Sequence, residues 1–359
     1  MKITVPAEFE GRLLRSYLKN TLAISAKTLT HLKTVENGIT VNGERVTVRY
    51  VLRAGDILEL ADVDVDGSPN IIPTDMPLSV LYEDEYVTVL NKPPYMPTHP
   101  SHGHITDTLA NALAFRYASE DIPFVFRPLG RLDRNTSGVV IAAKTRTASG
   151  FLGGALMRGE VKKRYIALVH GGLCDDGEIH SIEVPIKRAA DSIIIRTACS
   201  MEEDGAEYAL TNYRVLLSDG SYSLLLCEPR TGRTHQLRVH LSHIGHPIVG
   251  DDIYGGDISL IGRHALHAVS VTVPLPFFRA ANGSDRAAPP MRDTSLKCND
   301  GVLSLLSSRL NYPTDDGILS TFAPIPEDMS RLILDIFESH DSLDSIRPLL
   351  YQNAQEEII

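Results

Sequence analysis

Residues 130–138 read Gly-Arg-Leu-Asp-Arg-Asn-Thr-Ser-Gly (GRLDRNTSG), and the apolar run Val-Val-Ile-Ala-Ala follows at 139–143. Short polar residues flanked by glycines have the composition of a turn whose side chains bond the local backbone. The run behind them reads as a buried strand. Asp133 therefore stands between Arg131 and Arg134 at the mouth of a strand. A lone aspartate in such a turn is ordinarily only a turn residue, so its surroundings must supply any further role.

Working outward, strand patterns occur at Leu78–Tyr82, Val87–Pro94 and Lys163–Val169, and a helical pattern at Asp107–Tyr117. Helices and strands do not alternate as in a parallel α/β chain. A mixed or largely antiparallel central sheet with flanking helices, an α+β architecture, is the expectation. Upstream, helical patterns around Gly11–Asn20 and Ser25–Glu36 lead into Gly38–Val46, a hairpin around Asn42-Gly43, and a turn at Arg53–Asp56 leads into Ile57–Leu60. This predicts a small α+β unit over residues 1–62, an acidic linker over 63–77 and a larger domain over 78–359.

The 359 residues carry a formal net charge of −10, which looks wrong for a nucleic-acid partner until its distribution is followed. Residues 1–60 hold nine Lys/Arg against six Asp/Glu, and residues 121–170 hold nine against three. Residues 61–85 hold seven Asp/Glu and no Lys/Arg, and residues 286–359 hold twelve Asp/Glu against six Lys/Arg. Acid is placed away from the GRLD turn. The four cysteines form no C-x-x-C pair, which argues against a disulfide scaffold and a cysteine-rich zinc site. No apolar run is long enough to span a bilayer and the start lacks a signal-peptide core, so a cytoplasmic protein is expected.

Five blocks then occur in one order: VLNKPPYMPTHP (89–100), GRLDRNTSG (130–138), KKRYIALV (162–169), PRTGRTHQLRVHLSHIGHPIVGDDIYG (229–255) and HALHA (264–268). With them the chain resembles the RluA-type pseudouridine synthases. The likeness covers roughly residues 80–280 and returns at Phe322–Phe337. The N-terminal unit resembles the small RNA-binding domain first known from a ribosomal small-subunit protein, through its Val-Asn-Gly turn and the Gly-Asp before its last strand.

What the resemblance implies is a pseudouridine synthase fold and isomerisation of uridine in structured RNA, with no cofactor and no metal. The bond from uracil to ribose is broken and remade through carbon five of the base. Asp133 matches the family's catalytic aspartate, Arg233 the arginine that pairs with it, and Tyr165 the tyrosine whose ring lies on the target uracil and whose hydroxyl can serve in proton transfer. Whether Asp133 attacks base or sugar, or takes a sugar proton, stays open. A carboxylate suits each of these, because it is ionised at neutral pH and acts as nucleophile or base. In a pocket that excludes water it needs a partner charge.

Leu237 matches an apolar position of the pocket, and Arg131 the position whose guanidinium fills the space left by the flipped base. Arg134 and Lys163, with Lys162 and Arg164, are candidates for phosphate contacts, and Asn91 and Lys92 for one wall of the cleft. In the N-terminal unit Arg12, Arg15, Lys19, Lys27 and Lys33 are the basic residues expected to face RNA. Ribosomal RNA is favoured as substrate, with transfer RNA as the alternative, and a monomer is expected.

Two other classes compete. A metal-dependent hydrolase built on His235, His240, His243 and His246 lacks both a His-Glu-x-x-His pattern and an accompanying carboxylate. A catalytically silent RNA-binding paralogue would usually have lost one of Asp133, Tyr165 and Arg233. The chain departs from the family pattern in an insertion at about 280–320, where Val302–Leu310 has a helical pattern, and in an acidic tail after Ser339.

Overall fold

The computed structural model describes residues 2–22, 24–61, 68, 70–275 and 317–337, without the Lys27 side chain. Most of the 280–320 insertion, its apolar stretch 302–310 and the acidic tail lie outside the described residues.

The N-terminal unit forms β1 (Lys2–Thr4), a short helix α1 (Leu14–Ser16) continued by a π-helical turn (Tyr17–Thr21), α2 (Ala26–Thr34), β2 (Ile39–Val41), β3 (Glu44–Arg45) and β4 (Ile57–Leu60). The strands make an antiparallel sheet in the order β1-β4-β2-β3. Asn42 and Gly43 both take positive φ, 53° and 83°, the conformation a two-residue hairpin of the right twist requires. Ser25 caps α2 by accepting from the Thr28 amide at 3.1 Å, which satisfies an N–H the helix cannot. Asp56 is buried and accepts from Arg53 N, Asn42 Nδ2 and Tyr50 Oη, and these bonds close the turn before β4.

The larger body contains β5 (Ser79–Glu83), β6 (Val87–Lys92), α3 (Leu109–Ala118), β7 (Ser137–Ala143), α4 (Arg146–Met157), β8 (Lys162–His170), β9 (His180–Glu183), β10 (Ile186–Arg188), β11 (Arg196–Ala198), β12 (Leu210–Ser218), β13 (Tyr222–Pro229), α5 (Gln236–His243), β14 (Leu266–Pro274), β15 (Ile318–Phe322) and α6 (Glu327–Phe337). Eight strands follow the order β5-β6-β7-β14-β8-β13-β12-β9, and β15 pairs with β14. Among the described residues only β7 with β14 is parallel, over His267↔Ser137 and Ala268↔Gly138. The sheet is mixed and largely antiparallel, as the strand patterns indicate, and β10 and β11 form a separate hairpin.

Every residue of β7 is buried, which explains why its sequence reads as an unbroken apolar run rather than an alternation. At its start Gly138 has φ 112°, and a Cβ there would lie 2.1 Å from the Ala268 carbonyl oxygen. Only glycine lets β7 approach β14 this closely, and that approach brings the GRLD turn against the HALHA block.

The two units share one apolar cluster. Leu14, Leu18, Leu52 and Leu58 of the N-terminal unit belong to the same buried set as Val87, Val89, Ile141 and Leu319 of the larger body. Of the stretch read as a linker, residues 68 and 70–77 lie along the larger body. Ser68 N donates to Phe124 O, Thr74 N donates to Asn111 O, and Asn111 Nδ2 donates to Ile72 O.

Candidate active site

Asp133 sits on a tightly restrained turn. Leu132 is buried, donates its N–H to Thr98 Oγ1 at 3.2 Å and accepts at its carbonyl from the same hydroxyl at 2.9 Å. The Arg134 carbonyl accepts from Lys92 Nζ at 3.1 Å, and the Asn135 carbonyl from Arg263 Nη1 at 3.2 Å. Thr136 Oγ1 pairs with His264 Nε2 at 2.8 Å, and Ser137 Oγ with His267 Nδ1 at 2.9 Å. Leu132 and the residues from 134 to 137 are thus each anchored from outside the turn, by Thr98, Lys92, Arg263, His264 and His267. The Asp133 side chain keeps 24% of its surface exposed. A group held this way meets a bound substrate with little reorganisation left to do.

Lys92, read as part of one wall of the cleft, is held inside that wall rather than open to a substrate. Its side chain is wholly buried and its ammonium donates to the carbonyls of Pro93 at 2.9 Å, Met96 at 2.8 Å and Arg134 at 3.1 Å. Three N–H donors meet three acceptors, so the lysine staples the cleft wall to the catalytic turn. Burial lowers its pKa to about 7, against the opposing pull of Asp133. Asn91 pairs through its backbone between Ser79 and Val139 in the sheet. Lys163 likewise points inward, donating to the Leu129 carbonyl at 2.7 Å, and burial lowers its pKa to about 8.

The partner of Asp133 is Arg238, in place of the expected Arg233. Arg238 Nη1 lies 3.4 Å from Asp133 Oδ2, while Nε and Nη2 make a bidentate pair with the buried Asp251 at 2.7 and 2.8 Å. Burial alone would lower the Arg238 pKa, but Asp251 and then Asp133 hold it above the usual arginine value. Arg233 turns to the other side, with Nε on the Tyr208 carbonyl at 2.9 Å and Nη1 on Glu207 at 3.0 Å. The reason is local: Arg233 precedes α5, whereas Arg238 is its third residue. His235, the helix N-cap, takes a left-handed φ of 58° and reverses the chain between them.

Tyr165 lines a small cavity with Leu129, Gly130, Arg131, Leu132 and Lys163. Burial, and then Asp133, push its pKa upward, so its hydroxyl stays protonated at neutral pH. As a proton acceptor it would have to pass its own proton on in the same step. Arg131 is exposed and donates to Thr234 Oγ1 at 3.1 Å, and Arg134 is exposed with Nε 3.3 Å from the Tyr95 carbonyl. Leu237 is buried beneath α5 in the second apolar cluster. Arg12, Arg15, Lys19 and Lys33 are exposed on the N-terminal unit, Arg12 over the Phe9 ring. Lys27 lies outside the described side chains.

Among the described residues no three His, Cys, Asp or Glu side chains converge as metal ligands. His240 Nδ1 pairs with Thr211 and Nε2 with the Val184 carbonyl, while His246 Nδ1 pairs with the His170 carbonyl. Within the same residues no helix is long and apolar enough to cross a membrane.

The sequence does not single out Tyr254, Asp251, Arg238, Arg263 and His264, and it offers His235 only as a metal ligand. All lie in or beside the quoted blocks, but spacing alone does not say which of several polar residues in a block turns inward.

Residues 86–243 match the family model described as RNA pseudouridylate synthase, and residues 1–58 match the RluD ribosomal pseudouridine synthase N-terminal domain. The chain is 40% identical to "Uncharacterized RNA pseudouridine synthase YjbO" of Bacillus subtilis over 69% of this chain and 85% of that protein. It is 35% identical to the "Ribosomal large subunit pseudouridine synthase D" of Xanthomonas campestris over 70% of this chain and 77% of that one. It is also 35% identical to the "tRNA pseudouridine(32) synthase, mitochondrial" of Saccharomyces cerevisiae, over 63% of this chain and 46% of that protein. With the pinned aspartate turn and this extent of identity, the chain belongs to the RNA pseudouridylate synthase family and is an RNA-modifying isomerase.

Proposed function

We propose that the protein isomerises uridines of ribosomal RNA at the cavity beside Tyr165, with the Asp133 carboxylate as the reacting group. The observation that carries this reading is the Asp133 turn itself: a carboxylate left partly open, facing Arg238, on a backbone anchored at every adjacent residue. The N1–C1′ glycosidic bond breaks, the base turns within the site, a C5–C1′ bond forms, the C5 proton is lost and the freed N1 takes up a proton, so that the product is an isomer of the uridine. Asp133 serves as nucleophile or base in the first part. Arg238 presents one N–H to the carboxylate at 3.4 Å, while its shorter, bidentate pair is with Asp251. The Tyr165 ring excludes water from the base.

Ribosomal RNA is favoured over transfer RNA because residues 1–58 match the N-terminal domain of a ribosomal synthase and carry exposed Arg12, Arg15, Lys19 and Lys33. Mapping pseudouridines in total RNA of cells with and without the gene tests this. Loss of one or more sites in ribosomal RNA is expected, and loss confined to transfer RNA would replace the target.

A further inference from the structure

We infer that Tyr254 and His235 form a hydrogen-bonded pair that positions the Asp133 carboxylate, with the imidazole Nε2 facing Oδ2. The proposal rests on the reading of Asp133 as the reacting group. Tyr254 Oη accepts from the backbone N–H of Arg196 in β11 at 2.9 Å, and lies 2.8 Å from His235 Nδ1. In the tautomer that a carboxylate facing Nε2 favours, the single proton of that oxygen goes to Nδ1. The imidazole then carries its own proton on Nε2, which faces Asp133 Oδ2 at 3.7 Å. Contacts of this kind commonly shorten when substrate closes the site.

The pair is built rather than incidental. The two rings meet edge to face with centroids 5.7 Å apart. Tyr254 is fixed by Ser242 Oγ on its carbonyl at 2.7 Å and by its own N–H on Asp251 Oδ1 at 3.3 Å. The guanidinium of Arg238 lies over its ring at 5.0 Å. Tyr254 therefore touches both groups that face Asp133, and the left-handed His235 is held where an ordinary residue would be strained. Burial lowers the His235 pKa, against the opposing effect of Asp133, which keeps the imidazole neutral and able to accept from Tyr254.

The test is single-turnover pseudouridine formation at saturating RNA, with RNA affinity measured separately, for Tyr254→Phe, His235→Asn and His235→Gln in the full chain. Tyr254→Phe removes one oxygen and keeps the ring over Arg238, so it remains informative if the His235 variants lose stability. A rate between about 10- and 100-fold below wild type is expected for Tyr254→Phe and His235→Asn, the scale set by small misplacements of a reacting group. RNA affinity should stay within about twofold, because neither group is placed on the RNA. Gln carries an amide donor at the distance of Nε2, whereas Asn fits the left-handed backbone better. A positioning role makes His235→Gln faster than His235→Asn, and a purely structural role makes it slower. Rates for Tyr254→Phe within twofold of wild type, or His235→Asn equal to or faster than His235→Gln, would overturn the proposal. Turnover by Asp133→Asn would instead remove the reading on which it rests.

Discussion

Arg238 stands between two carboxylates, 3.4 Å from Asp133 and in bidentate contact with Asp251. The inner pair is buried and short, the outer one longer and partly open. Asp251 fixes the guanidinium, and the guanidinium presents one remaining N–H to Asp133. Removing the arginine altogether would leave Asp251 as an uncompensated buried charge, a loss of about 3–5 kcal/mol in stability.

Arg238→Lys keeps a charge beside Asp251 but cannot bridge both carboxylates. Its single-turnover rate should fall about 100-fold or more, as when one preorganised donor is removed. Arg233→Lys, whose partners are Glu207 and the Tyr208 carbonyl, should stay within about threefold, the range of an exposed ion pair. The comparison is of rates at saturating RNA, and the reverse ranking would restore Arg233 as the partner.

For Lys92→Met, the carbonyls of Pro93, Met96 and Arg134 lose their common donor. Stability should fall by about 1–3 kcal/mol and turnover should fall with it, as buried acceptors go unpaired. RNA affinity should be unchanged. Weaker RNA binding with unchanged thermal stability would instead make Lys92 a substrate contact.

How much of this is readable in the sequence differs from place to place. Strands β6, β7 and β8 and the Asn42-Gly43 hairpin are legible, because a buried apolar run and a two-residue turn are local properties. Asp133 is legible only with its block. Arg233 and Arg238 stand in one block five residues apart, and the choice between them depends on where α5 begins and on the left-handed His235, which composition does not disclose. Lys92 is legible as part of the cleft wall, but its complete burial is not, because a lysine is almost never fully buried. Arg263 and Asp328 join α6 to the catalytic turn across sixty-odd residues, a contact that only the fold creates.

Acid should destabilise the protein. His267 is wholly buried between Ser137 Oγ and the Ala323 carbonyl, and burial lowers its pKa to about 4. The unfolded chain binds a proton near pH 6.5 that the folded chain refuses until about pH 4. Its contribution is thus intact above pH 6.5 and lost as pH falls toward 4, worth about 3 kcal/mol over that window. Urea midpoints measured from pH 7 to pH 4.5 should fall, and His267→Gln should flatten the slope. An unchanged slope in the variant would assign the acid sensitivity elsewhere.

The N-terminal unit shares its apolar cluster with the larger body, so deleting it would expose core as well as remove charge. Substituting exposed Arg12, Arg15, Lys19 and Lys33 with Gln is the cleaner test. Affinity for long RNA should fall, and the log–log salt slope should shrink by roughly 0.7 to 0.9 for each phosphate that is no longer neutralised. Single-turnover chemistry on a saturating short stem-loop should persist. Equal slopes for variant and wild type would show that this face does not hold RNA.

The most direct test is of the Asp133 carboxylate as the group that performs the bond-making step. Asp133→Asn changes one oxygen on a turn anchored through the backbone of Leu132, Arg134 and Asn135 and the hydroxyls of Thr136 and Ser137. No detectable pseudouridine is expected in single turnover by Asp133→Asn, with thermal stability and RNA affinity close to wild type. Substantial pseudouridine formation by that variant would contradict this role and take Asp133 out of the mechanism.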